Sequence, residues 1–188
     1  MDDALAAGNL KYYGSVKVRH LLDVFANDIG FDEIATKVQR KLEGLSVAPY
    51  YGCQVVRPGP TFDDPESPQS LDRMIGSLGA KATPFPLKAR CCGGSLIISE
   101  EDLALGLVRK LLDSAANNGA ECIVTVCPLC QTNLDVYQGK VNSKFKTNFK
   151  LPVLFFTQLI GLALGIDGKT LGLEKCIVPA DKVLAKYV

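Results

Sequence analysis

The chain has 188 residues, 47% of them hydrophobic, with 21 Lys and Arg against 20 Asp and Glu. That length and composition suit one globular domain with its own core, and a net charge of +1 leaves no electrostatic footprint for nucleic acid or an anionic membrane. Seven cysteines, five of them in tight groups, argue against a disulfide framework, and the opening Met1-Asp2-Asp3-Ala4 lacks the basic and apolar stretches of a secretory signal. A reducing cytoplasm is therefore the expected compartment.

In chain order, Val18, Leu21, Leu22 and Phe25 share one face of a helix, and Ile34, Val38 and Leu42 share another that stops at Gly44. Two helices are thus expected to open the chain, over about residues 1–45. His20, the single histidine, falls on the first of them beside Leu21 and Leu22 and is read as a packing residue, not a base or ligand. Residues 47–51 form a short strand, from whose end Gly52-Cys53 breaks away, which puts Cys53 on a loop at a carboxyl edge. Residues 57–68, with Pro58, Gly59, Pro60 and Pro65, read as an ordered loop.

Leu71, Met74, Ile75 and Leu78 predict a helix ended by Gly79, followed by a strand over residues 82–87 before the pair Cys91-Cys92. Ser99-Glu100-Glu101-Asp102 reads as a helix cap with an acidic first turn, leading into a helix that runs to Asn118-Gly119. The β-branched run 121–126 suits a buried parallel strand, and Cys127-Pro128 turns it directly into another helix. Residues 151–166 are strongly apolar but short of the ~20 residues a membrane span needs, so a buried strand and a buried helix are expected there, and no membrane span. Helices alternating with short strands predict a layered α/β fold: short parallel strands, flanking helices and right-handed crossovers. Its core is expected over about 46–166, with a tail over 167–188, all in one domain.

The chemistry lies in the cysteine pattern, from Cys53 through Cys91-Cys92-Gly93 to Cys127-Pro128-Leu129-Cys130. In a parallel sheet the carboxyl edge is where ligands gather, so three strand ends can deliver these groups to one place. Consecutive Cα atoms lie ~3.8 Å apart, short of a relaxed disulfide, so Cys91 and Cys92 are read as free thiolates. Cys127 falls at a helix N-cap with Pro128 at the first helical position, and Cys130 falls on the first turn, where backbone N–H groups favour negative sulfur. Gly93 and Gly94 let the backbone come close and supply amides that can hydrogen-bond to sulfur. Cys122, inside a strand, and Cys176, in the tail, are assigned to packing. Two bland readings stand beside this one: zinc held by four of the five thiolates, and a Cys-Cys pair that merely fills a core.

These residues resemble a known family. The flanks Ala48-Pro49-Tyr50-Tyr51-Gly52-Cys53, Cys91-Cys92-Gly93-Gly94-Ser95 and Cys127-Pro128-Leu129-Cys130-Gln131-Thr132-Asn133-Leu134-Asp135 look like the carboxyl-terminal cysteine-rich CCG domain of the heterodisulfide reductase B subunit. The resemblance implies a noncubane [4Fe-4S] cluster ligated by Cys53, Cys91, Cys92, Cys127 and Cys130, with no catalytic residue beyond these ligands. It also implies an oxidoreductase subunit that passes electrons singly to or from a thiol or disulfide, fed by a small iron–sulfur subunit and a flavin subunit. Full-length members carry two such domains in tandem with substrate between them, so this single set implies a second CCG domain, in the same or another chain, and little activity alone. Related domains also serve as electron relays in glycolate or glycerol-3-phosphate oxidising complexes. A zinc-stabilised module that docks partner subunits is the reading from a different class.

Overall fold

A computed structural model of the chain describes residues 2–57 and 62–187. Pro58, Gly59 and Pro60 of the expected loop lie outside the described residues. The strands are β1 (Ser46–Tyr50), β2 (Lys81–Ala82), β3 (Cys122–Thr125) and β4 (Val153–Phe155). Among the described residues they make one parallel sheet in the order β2-β1-β3-β4, with Val47 opposite Cys122, Tyr50 opposite Thr125, and Val124 opposite Leu154. β3 is buried along its whole length, as its unbroken apolar run requires of a central strand covered on both faces.

Alternate residues feed two cores. Val47, Tyr51, Val124 and Leu154 point to one face, and Ala48, Tyr50, Ile123 and Val153 to the other. The first face is covered by α3 (Phe31–Lys37), α4 (Ser70–Ser77) and α8 (Phe156–Ala163), through Ile34, Leu71, Met74, Ile75, Leu159 and Leu162. The second is covered by α5 (Glu101–Asn117), α6 (Pro128–Val136) and α7 (Gln138–Phe145), through Val108, Leu111, Leu112, Leu134 and Val141. Cys92, Cys127 and Cys130 belong to this second core. The α/β class, the strand–helix pair at 151–166 and the strand-to-helix turn at Cys127-Pro128 are all as expected. Among the described residues no helix is long and apolar enough to cross a membrane.

Four local expectations fail, each for an identifiable reason. Past the short helix α1 (Asp2–Ala7), the opening amphipathic helix starts only at α2 (Leu21–Asp23), which runs into a π-helical turn over Val24–Ile29, so Val18 is 90% exposed instead of sharing the Leu22 face. The helix over Ile34 ends at Lys37: Val38 turns extended, and the Gln39 and Arg40 N–H groups both donate to Ala163 O at 2.9 Å, drawing the chain to the end of α8. Leu42 still buries fully, in a turn whose N–H donates to Leu78 O. Of the expected 82–87 strand only Ala82 pairs, joined by Lys81 just before it, because Pro84 and Pro86 carry no N–H to continue a ladder. Ser99 does not cap α5; the N-cap position is Glu100, with no side-chain cap.

His20 is not inside a helix but caps one. Its Nδ1 accepts from Leu22 N–H at 3.1 Å and its Nε2 reaches Val126 O at 3.2 Å, while its ring stacks on Phe62. Donating to a carbonyl and accepting from an amide at once requires the neutral imidazole. Burial lowers its pKa below the usual 6.5, against the opposing pull of Val126 O and Asp23. The unfolded chain therefore takes the proton first. The His20 contribution is complete above about pH 6.5 and is lost as pH falls below it. Urea unfolding of the metal-free chain between pH 7 and pH 5 should show wild type losing more stability than His20→Asn; parallel curves for the two would contradict this assignment.

Candidate functional site

All four strands run the same way, so their carboxyl ends share one edge. β1 ends at Tyr50, Gly52 takes φ +68°, and Cys53 opens a tight turn in which its carbonyl accepts from Val56 and Arg57 N–H. β3 ends two residues before Cys127, which N-caps α6 with Pro128 at the helix start, placing Cys130 on the first turn. The pair Cys91-Cys92 does not follow a strand directly. It arrives through an irregular segment strapped to β1, where Tyr51 and Gly52 N–H both donate to Lys88 O, at 2.9 and 3.1 Å.

The sulfurs meet pairwise. Cys92 and Cys130 Sγ lie 3.6 Å apart. Cys53 lies close enough to Cys91, and Cys130 to Cys127, for each neighbour to raise its thiol. All three cysteine groups are thus linked at one edge, although among the described residues no three His, Cys, Asp or Glu side chains converge as a single-ion site. Cys92, Cys127 and Cys130 are buried, Cys53 is half-buried and Cys91 is exposed, so the set has a closed inner wall and an open mouth. Cys122 is fully buried in the core, where desolvation pushes its thiol up to about 12, and Cys176 packs partly buried in the tail.

The backbone around the sulfurs offers donors and space. Gly93 N–H donates to Cys91 Sγ at 3.3 Å, and the Gly94 amide lies near enough to Cys92 to help lower its thiol. A Cβ on Gly52 would stand 3.0 Å from Cys130 Sγ, and one on Gly94 would meet Leu129 at 3.0 Å and Cys92 Sγ at 3.4 Å. Cys130 donating to Cys92 lowers the Cys92 thiol, and the same contact raises Cys130, so Cys92 is the member of this buried pair that gives up its proton first. Burial, followed by the charge of Cys91, raises Cys53. Five soft thiol donors with backbone amides aimed at them fit a thiophilic metal or an iron–sulfur cluster.

Two residues of this site, and a third that anchors the tail beyond it, escaped the sequence reading. The Tyr50 hydroxyl, buried against Cys92, donates to Arg90 O at 2.7 Å. Asn133 Nδ2 donates to Cys92 O at 2.8 Å. Asp135, at the far end of α6, accepts from Ile177 and Val178 N–H at 2.8 and 2.9 Å and so anchors the tail. A signal existed for Asn133, which lies one helical turn beyond Cys130 on the same face. None existed for Tyr50, because either tyrosine of Tyr50-Tyr51 could have faced the sulfurs until the strand register chose.

Comparison with known proteins finds a family and several relatives. Residues 47–135 match the cysteine-rich domain family CCG, a span that begins in β1 and ends on α6. The chain is 38% identical over 181 residues to the 8-methylmenaquinol:fumarate reductase membrane anchor subunit of Wolinella succinogenes, covering 95% of this chain and 63% of that protein. It is 33% identical to the B subunit of the ferredoxin:CoB-CoM heterodisulfide reductase of Methanosarcina mazei, covering 94% and 60% of the two chains. It is 30% identical to a protein of Archaeoglobus profundus that is itself like the heterodisulfide reductase B subunit, covering 100% and 64%. The chain therefore spans a little under two thirds of the length of these relatives. A crystal structure of a hypothetical protein from Helicobacter pylori shares the fold, with a TM-score of 0.73 at 16% identity over 95% of this chain and 32% of that one. Residues 47–135 match the CCG cysteine-rich domain, and over most of its length the chain is similar to the B subunits of the heterodisulfide reductases.

Proposed function

We propose that this chain is the cluster-bearing redox subunit, or part of one, of a heterodisulfide reductase-like complex, with a noncubane [4Fe-4S] cluster held by Cys53, Cys91, Cys92, Cys127 and Cys130. The observation that carries this reading is the 3.6 Å approach of Cys92 to Cys130 across 38 residues of sequence, with Cys53 joined to the same group through Cys91. When bound, such a cluster supplies single electrons at a metal centre with affinity for sulfur. The overall exchange is R–S–S–R′ + 2e− + 2H+ → RSH + R′SH, or its reverse. The chain's own residues shape the approach: exposed Cys91 and half-buried Cys53 face incoming thiol, while Cys92, Cys127 and Cys130 form the dry inner wall and the Gly93 amide hydrogen-bonds to the Cys91 sulfur.

The partners proposed are a small iron–sulfur subunit, a flavin subunit and a second CCG domain that completes the substrate site, all within a reducing cytoplasm. A second reading has its own support in the 38% identity to a subunit of a menaquinol:fumarate reductase: a relay that passes electrons through the cluster without handling a disulfide.

Anaerobic loading with iron and sulfide tests the first reading. Iron together with acid-labile sulfide is expected, with a paramagnetic signal after oxidation that changes when a thiol is added. Stoichiometric zinc without sulfide would replace the redox reading with the zinc-stabilised docking module. A signal indifferent to thiols would favour the relay. The loaded chain alone should reduce disulfides poorly, and rapid turnover without any partner would refute the need for a second domain.

A further inference from the structure

We infer that Tyr50 and Asn133 are positioning residues for the Cys91-Cys92 pair, clamping the carbonyls on either side of it from two different elements. The inference rests on the cysteine site proposed above but concerns residues outside its ligand set.

The pair lacks the support its partners have. Cys53 follows β1 directly, and Cys127 and Cys130 are built into the start of α6, whereas the pair sits in a stretch of turns between β2 and α5 with no strand ladder or helix to fix it. What fixes it is side-chain to main-chain bonding across 40 and 41 residues: Tyr50 Oη donates to Arg90 O at 2.7 Å, and Asn133 Nδ2 donates to Cys92 O at 2.8 Å. Tyr50 belongs to the strand that delivers Cys53, and Asn133 to the helix that carries Cys127 and Cys130. Each clamp therefore ties the pair to one of the other two cysteine groups.

Both clamps are dry, with Tyr50 at 0% and Asn133 at 1% exposure, so water cannot replace a lost donor. Asn133 Oδ1 has no hydrogen-bond partner among the described atoms, so the amide is held there by what its nitrogen does. The Asn133 amide and the Tyr50 hydroxyl also help to lower the Cys92 thiol, behind the larger effect of Cys130. Groups that orient ligands in this way, without touching the metal, characteristically set affinity by 10–100-fold.

The test uses the full chain and needs no iron. Cd2+ titration of the reduced, metal-free protein reads thiolate-to-metal charge transfer in the ultraviolet, and urea unfolding runs beside it. Tyr50→Phe and Asn133→Leu are each expected to weaken Cd2+ binding about tenfold and to alter the charge-transfer band. Tyr51→Phe is the control: its hydroxyl donates to Asp72 on the opposite face, at 2.5 Å, so it should lose stability while keeping wild-type Cd2+ affinity. Unchanged Cd2+ affinity in both clamp variants would overturn the inference. So would losses in all three variants that simply track stability, since that is what a purely structural role predicts. If wild type itself gave no thiolate band, the cysteine site would fall first and the inference with it.

Discussion

Cys92→Ser is expected to abolish uptake of iron and labile sulfide while leaving the sheet folded. Cys92 is the most embedded thiol of the group: 3% exposed, 3.6 Å from Cys130 Sγ, approached by the Gly94 amide, and the member of its pair whose thiol is lowered. A serine hydroxyl has nearly the same shape but stays protonated and is a hard donor, poorly matched to iron or any soft metal. The neighbours that hydrogen-bond the sulfur can still satisfy the hydroxyl, so the folding cost should stay near the ~1 kcal/mol of an altered hydrogen bond. Iron and sulfide analysis beside a urea unfolding curve separates the outcomes. A zinc-dependent fold would show the opposite balance, with the chain unfolding when the ligand is lost because metal binding and folding are then one equilibrium.

Gly52→Ala should damage both stability and the site. Gly52 takes φ +68°, where an L side chain costs ~1–2 kcal/mol. Its new Cβ would stand 3.0 Å from Cys130 Sγ and 3.9 Å from the Tyr50 ring, and such overpacking typically adds ~1–3 kcal/mol. Together these predict a loss of about 2–5 kcal/mol, read as a lower urea midpoint at unchanged slope, together with poorer cluster loading because relief of the contact moves Cys130. Gly106 in α5 is the counter-case: a Cβ there meets nothing within 4 Å, so Gly106→Ala should stabilise the chain by roughly 0.5–1 kcal/mol. Equal behaviour of the two alanine variants would remove Gly52 from the site.

The parts of the fold that were legible are those governed by neighbours in sequence. Cys127-Pro128 at a strand-to-helix turn, the buried run 122–125 and the apolar strand and helix near residues 153–163 each express a local rule that nothing distant contradicts. Where a distant partner offered a better bond, the local reading failed. Ala163 O pulls Gln39 and Arg40 out of a helix that the Ile34, Val38 and Leu42 spacing would have continued, and Val126 O draws the His20 imidazole to the sheet edge, so α2 starts at Leu21. Strand 82–87 failed on chemistry visible in the sequence, since two prolines cannot feed a ladder.

The site divides the same way. Local sequence by itself determined that five thiols sit beside turns, glycines and a helix start, because backbone preference and the absence of a Cβ act over a few residues. Only the tertiary structure decided that Cys92 meets Cys130 while Cys53 meets Cys91, and that Tyr50, not Tyr51, faces them. Those outcomes follow from strand order and from the two-residue alternation of the sheet, where a one-residue shift in register would send the other tyrosine to the sulfurs, and a register of that kind is set by packing between segments dozens of residues apart.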